Sequence, residues 1–393
     1  MTVSIGVEEE FHLVDVAGRR LVPGARAVLE RLPEGFTGEF RQSVVESNSG
    51  VHETLDALHA DLVRSRRSLD AAAAPLGLAA VAAGTVPLAR VSAVGATPDP
   101  RYLHMADEYR LLADEQLICG AQVHVDVPDR DTAVRAMCLL SPWLPVLLAL
   151  SASSPFWLGQ DTGYASWRTP LWQRWPTTGP AGCFGSAAEY DAAVDSLVRS
   201  GAITDAGMVY FDVRPSAHLG TLELRICDAC PDPETVVLIA GLFRALVVEA
   251  CEAVGREPHA PARRQELLRA ASWRAARSGL EGELVHPETG VAAPAGAVVR
   301  SMLARLRPAL EGLGDLAAVS ELVDRALARG SAAARLRRIA AGDGLPAVVD
   351  ALIAETRGAA GADRPAGAAP TRLPTGAAGL VRVGSGVLPA DLT

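Results

Sequence analysis

The chain of 393 residues contains no lysine, and all 37 of its basic side chains are arginine. A guanidinium stays protonated and offers no neutral amine. Schiff-base chemistry is therefore excluded, as are the P-loop and the protein-kinase site, which need a lysine. Any phosphate handled here has to be held by arginine, backbone N–H groups or metal ions. Cysteine is scarce too, and six residues without framework-like spacing do not describe a disulfide-stapled secreted domain. The most apolar stretch, residues 136–150, is too short to span a bilayer and carries Pro142 and Pro145. The start of the chain is acidic and strand-like, not basic and then apolar, so no signal peptide is expected. Forty-six acidic against 37 basic side chains give a net charge of −9. That balance argues against a nucleic-acid partner and suits a site that collects divalent cations. The expectation is a soluble cytoplasmic protein without a membrane partner.

Periodicity sketches the fold. Residues 3–14 alternate apolar and polar side chains, as do 121–127, and 209–214 and 221–226 form a strand pair around a Pro215–Gly220 turn. Residues 52–78 suit a helix that Pro75 ends, and 103–117, 131–150 and 186–200 suit further helices. Residues 84–100 read as loop with a short strand, and 233–357 are helical throughout. The irregular segment 151–185 crowds Trp157, Trp167, Trp172 and Trp175 among Gly and Pro, as a lid or binding loop would. Residues 358–393, rich in Gly, Ala and Pro, are expected to be disordered, which leaves 1–357 as the folded domain. Strands mixed with helices without regular alternation favour an α+β fold.

Successive side chains of a strand point to opposite faces. In the first strand Ser4, Glu8, Glu10 and His12 share one face, and Glu9 interrupts the apolar one. The central strand presents Gln122, His124 and Asp126 opposite its alanine and valines. The late pair presents Thr221, Glu223 and Arg225, with Tyr210, Asp212 and Arg214. In one sheet these faces pave a single wall of carboxylate, amide, imidazole and guanidinium. Glutamates two residues apart repel unless a cation lies between them, and hard divalent ions take carboxylate oxygens and bridge to phosphates.

Four stretches carry a resemblance to a known family: Gly6-Val7-Glu8-Glu9-Glu10, Cys119-Gly120-Ala121-Gln122-Val123-His124-Val125, Asp161-Thr162-Gly163-Tyr164-Ala165-Ser166, and the run from Asp212 to Arg225. Ser154-Pro155-Phe156-Trp157, Gly179-Pro180 and Arg277-Ser278-Gly279-Leu280-Glu281-Gly282 add to it. Together they resemble the carboxylate-amine ligases of glutamate-cysteine ligase type 2. The resemblance implies a glutamine-synthetase-like fold, a curved antiparallel sheet with helices packed on its convex face. It also implies ATP and Mg2+ (or Mn2+), small amino-acid substrates, an acyl-phosphate intermediate displaced by an amine, and room for a homodimer.

Carried over position by position, Glu8, Glu10, Glu46 and Glu223 match metal-binding positions, and Glu53 is a second acidic candidate near Glu46. Arg214 and Arg225 fit phosphate or carboxylate contacts, where a planar fork meets two oxygens. Arg168 fits a clamp on the amino-acid carboxylate as its loop closes. His124 and Gln122 belong to the nucleotide and metal wall. Many members have His-Val-His where Gln122-Val123-His124 stands, and Gly-Thr-His-Pro where Gly84-Thr85-Val86-Pro87 stands. A protein that has lost catalysis is the rival these departures suggest, and a ligase for another amine is the second. A dinuclear hydrolase would want a histidine-richer ligand set than eight scattered histidines provide. Cys227 and Cys230 lack a second pair for zinc and are read as buried structural residues. His104 and His218 are histidines to which structural roles are equally open. The arginines at 64–67 and 335–338 are read as solvated helix faces.

Overall fold

The computed structural model describes residues 3–256 and 264–358. Residues 359–393, nearly all of the stretch expected to be disordered, lie outside the described residues.

The strands, in chain order, are β1 (Ile5–Asp15), β2 (Phe36–Gly38), β3 (Val44–Asn48), β4 (Leu78–Val81), β5 (Ala121–Asp126), β6 (Phe156–Trp157), β7 (Gln160–Asp161), β8 (Val213–Pro215), β9 (Thr221–Leu224), β10 (Glu283–Val285) and β11 (Ala292–Pro294). Seven form one antiparallel sheet in the order β2-β3-β1-β5-β9-β8, with β4 also on β1. β1 is long enough to hold two neighbours on one edge. Residues 5–9 pair with β5, and residues 12–15 pair with β4.

The apolar face of the sheet explains the helices. Ile5, Val7, Val123, Val125, Leu222 and Leu224 are all 2% exposed or less and join one core with the helices Leu55–Ala73 and Pro233–Arg256. The first of these is capped by Thr54, whose Oγ1 accepts from Ala57 N at 3.2 Å, and Pro75 follows its last turn in a short 3-10 segment. The second is apolar all round its middle because strands and other helices surround it. Residues Arg130–Ser151 form a helical run of 22 residues, long and apolar enough to cross a membrane. However, 83% of its apolar window is buried inside the fold, so it is core.

Several expectations change. Leu78–Val81 is a strand in a stretch that, past Leu78, carried no expected element, and the strands β2 and β3 lie in a stretch with no clear period. The helix expected over 103–117 breaks at Arg110, whose φ is +51°. A small hairpin, β10–β11, interrupts the helical second half. The late strands are shorter than expected, since residues 209–212 are irregular. Arg66 is not solvated: it is 3% exposed and pairs with Glu9 at 2.5 Å, donating also to the carbonyls of Cys230 and Pro231. Glu9 interrupts the apolar face, and only a buried countercharge makes that tolerable. In the later patch, Arg337 pairs with Asp161 and Arg335 with Glu355. A single disulfide, Cys138–Cys183, ties the helix Arg130–Leu140 to the loop before Ala187–Arg199, while Cys227 and Cys230 are free and buried.

Candidate active site

Strand register assembles the site. Across β1, β5, β9 and β8 the pairs Glu8–Gln122, His124–Glu223 and Glu223–Arg214 bring the polar faces side by side. On the other edge of β1, Glu10 pairs with Glu46 of β3. The connection between β2 and β3 then delivers Glu39, the residue that follows Gly38, from an irregular turn. A cavity over this wall is lined by Glu8, Glu10, Glu39, Glu46, Gln122, Arg168, Arg214 and Arg225, among others. His124 and Glu223 lie beneath it, 7% and 2% exposed.

Two sets of ligand atoms gather here, each within 4.8 Å: Glu8, His124 and Glu223, and Glu10, Glu39 and Glu46. Their electrostatics differ. Burial acts to raise the Glu8 carboxyl, but His124, Arg225 and Arg214 outweigh it and hold the group below the usual range. Glu223 is bonded to Arg214 at 2.7 Å and also to Arg225. Burial pushes the Arg225 guanidinium down to about 10, with Arg214 beside it adding to the effect. In the second set burial and mutual repulsion act together. Glu46 is pushed well above the carboxylate range by burial, then by Glu39, Glu8 and Glu10, and Glu39 rises to about 7 by burial and Glu10.

Free lone pairs face the same region. Gln122 Nε2 donates to Glu10 Oε1 at 3.1 Å, and its Oε1 is buried without a partner. His124 Nδ1 lies 3.0 Å from Thr221 Oγ1, while its Nε2 is 3.2 Å from Glu8 Oε1 without hydrogen-bond geometry. Three carboxylates facing one another and buried, unpartnered oxygen and nitrogen donors are a ligand set that fits a hard divalent cation.

The model of the glutamate-cysteine ligase family 2 matches residues 4–351. The chain belongs to that family. It is 54% identical over 370 residues to a Frankia alni protein named "Putative glutamate-cysteine ligase 2-3", covering 94% of this chain but 43% of that protein. It is 53% identical over 355 residues to "Putative glutamate-cysteine ligase 2-2" of Mycolicibacterium smegmatis, covering 90% of both. The chain thus spans less than half the length of the former relative. Among solved structures, the glutamate-cysteine ligase of Francisella tularensis, determined in complex with AMP, superposes with a TM-score of 0.67 at 11% identity, over 93% of this chain and 90% of that one. The likeness places the chain in the expected α+β fold.

For this member of the family, Glu8, Glu10, Gln122, His124, Arg214, Glu223 and Arg225 of the recognised motifs lie in or under the cavity, and so does Glu46. Glu53 is exposed and apart from it, as are His104 and His218. His12, expected on the polar wall, is instead sealed at 0% exposure where β4 covers that end of β1, and burial lowers it to about 4. Arg168 reaches the cavity but is not free to swing. It donates to the carbonyls of Ile226 and Arg225 at 3.1 and 3.2 Å, and a side chain on Gly120 would stand 2.5 Å from its Nη2. Of the tryptophans, Trp172 and Trp175 line the cavity, whereas Trp157 and Trp167 do not. Glu39 was missed because it belongs to no strand and carries no period; the only signal was its acidity beside Phe40 and Arg41.

Proposed function

We propose that the protein is an ATP-dependent carboxylate-amine ligase that forms an amide through an acyl phosphate. The reading takes the γ-carboxylate of glutamate as one substrate and an amine such as that of cysteine as the other. Family membership supports the reaction class. The observation that carries it within the chain is the Glu10–Glu39–Glu46 set, three carboxylates that repel one another beside two half-buried arginines.

In this reading Glu8, Glu10, Glu39, Glu46 and Glu223, with Gln122 and His124, would hold Mg2+. Bound Mg2+ supplies charge neutralisation to the transferring phosphoryl group. The chain's own work is positioning. Arg214 and Arg225, fixed by Glu223, keep positive charge beneath the place where phosphoryl oxygens would lie. They do what a lysine does elsewhere. Arg168 steadies the end of β9 through its two carbonyl contacts, so that Arg225 stays aimed at the cavity. The catalytic unit is residues 1–357, working on small molecules in the cytoplasm.

The test is release of ADP and phosphate with Mg2+ and a panel of carboxylates and amines, with mass detection of the amide. Glutamate with an amine should give an amide and one ADP per product. ATP binding without product from any pair would overturn the ligase reading.

A further inference from the structure

Most of the charged donors facing the cavity are already engaged inside the protein. Arg214 and Arg225 hold Glu223, Arg101 holds Asp205 at 2.8 Å, and Arg41 and Arg168 donate to backbone carbonyls. Two tyrosines also line the cavity, Tyr102 and Tyr210, and neither hydroxyl has a hydrogen-bond partner among the described residues. Their surroundings separate them. Burial raises the Tyr102 phenol most, and Glu39 and Glu46 beside it add to the effect against the single cation Arg101. Burial raises Tyr210 most as well, but it lies in the field of three cations, Arg101, Arg225 and Arg214, with Glu39 the one acid against them.

Tyr210 is also held still. It is 9% exposed, its ring packs on Trp172 and Trp175 with centroids 4.6 and 5.9 Å away, and its backbone N donates to Thr177 Oγ1 at 3.1 Å. A fixed ring presents its hydroxyl without an ordering cost on binding. Burial raises the phenol to about 12, so it remains a donor across the working range.

We propose that the Tyr210 hydroxyl donates a hydrogen bond to an oxyanion of the bound reactants, either the carboxylate of the amino-acid substrate or the phosphoryl group it attacks. The contact rests on the ligase reading. The guanidinium groups attract negative charge to the place, and the neutral hydroxyl adds a directional bond that they, tied to their own partners, do not supply.

Tyr210→Phe keeps the ring and its stacking and removes only the oxygen. Loss of a hydrogen bond to a charged group corresponds to about a 10- to 100-fold effect. If the acceptor is the substrate carboxylate, KM for glutamate rises by that factor while KM for ATP and the thermal midpoint stay put. If the acceptor is the phosphoryl group, kcat falls instead or ATP weakens. Unchanged constants throughout, or a lowered midpoint that accounts for the loss, would overturn the contact. Calorimetric titration of both proteins with glutamate and with ATP tests it without turnover. Equal affinities in both titrations, with unchanged kcat, would likewise overturn it. A wild-type protein that makes no amide would instead count against the ligase reading.

Discussion

Two groups of glutamates stand on one sheet face and follow opposite electrostatic plans. Glu8 and Glu223 lie among His124, Arg214 and Arg225, and Glu8 stays readily ionised. Glu10, Glu39 and Glu46 face one another, and Glu39 and Glu46 resist ionisation. Residue type is the same in both, so the neighbours decide. A carboxylate set compensated by the protein's own cations is a frame that fixes arginines. A set left uncompensated is stable in its charged form only with a cation from outside.

The largest effect should come from breaking the compensated set. Glu223→Ala leaves two half-buried guanidinium groups without their buried carboxylate, and breaking such a pair costs up to about 3–5 kcal/mol. The thermal midpoint should fall by several degrees, and amide formation by at least about 100-fold, as for lost charge stabilisation. Activity close to wild type would mean that Arg214 and Arg225 need no frame, and the contrast between the two sets would lose its meaning.

Glu46→Gln should act with the opposite sign on stability. In metal-free protein, at a pH where the set is ionised, it removes one repelling charge and should stabilise the fold, while lowering Mg2+-dependent activity. The pH dependence follows from the direction of the shifts. Glu39 and Glu46 hold protons in the folded state up to higher pH than in the unfolded state, where a glutamate titrates near about 4.3. Between there and about 7, the value for Glu39, the folded state binds more protons, so metal-free stability falls as pH rises. Mg2+ should therefore raise the midpoint more at pH 8 than at pH 5.5, and Glu46→Gln should flatten that difference. Midpoints measured with chelator and with Mg2+ check both statements.

The compensated set was the more legible of the two in the sequence. Glu8, Gln122, His124, Glu223 and Arg214 sit in strands whose alternation sorts their faces, and register places them in rows. The second set depends on β2 and β3, which are short and lack a clear alternation, and on Glu39, which lies in a turn. Local periodicity does not reach such residues; tertiary folding of the hairpin places them. The same limit explains Arg66. Glu9 was visibly out of place, but its partner is 57 residues away on a helix whose other arginines, Arg64 and Arg67, are exposed. His12 shows the converse, since alternation puts it on the polar wall and β4 covers that end of the strand.

Gln122 joins the two sets, and its removal should give the smallest effect. Its Nε2 donates to Glu10, and its unpartnered Oε1 is available beside Glu8, its partner across β1 and β5. Gln122→Ala removes one hydrogen bond, worth about 1 kcal/mol, while Glu10 keeps the Gly120 N–H at 2.5 Å. The fold should therefore hold. The Mg2+ concentration for half-maximal activity should rise by about tenfold, the lower range for losing a group that orients metal ligands. An unchanged Mg2+ requirement would show that β5 contributes no oxygen to the cation, and that the two glutamate sets work without the amide that links them.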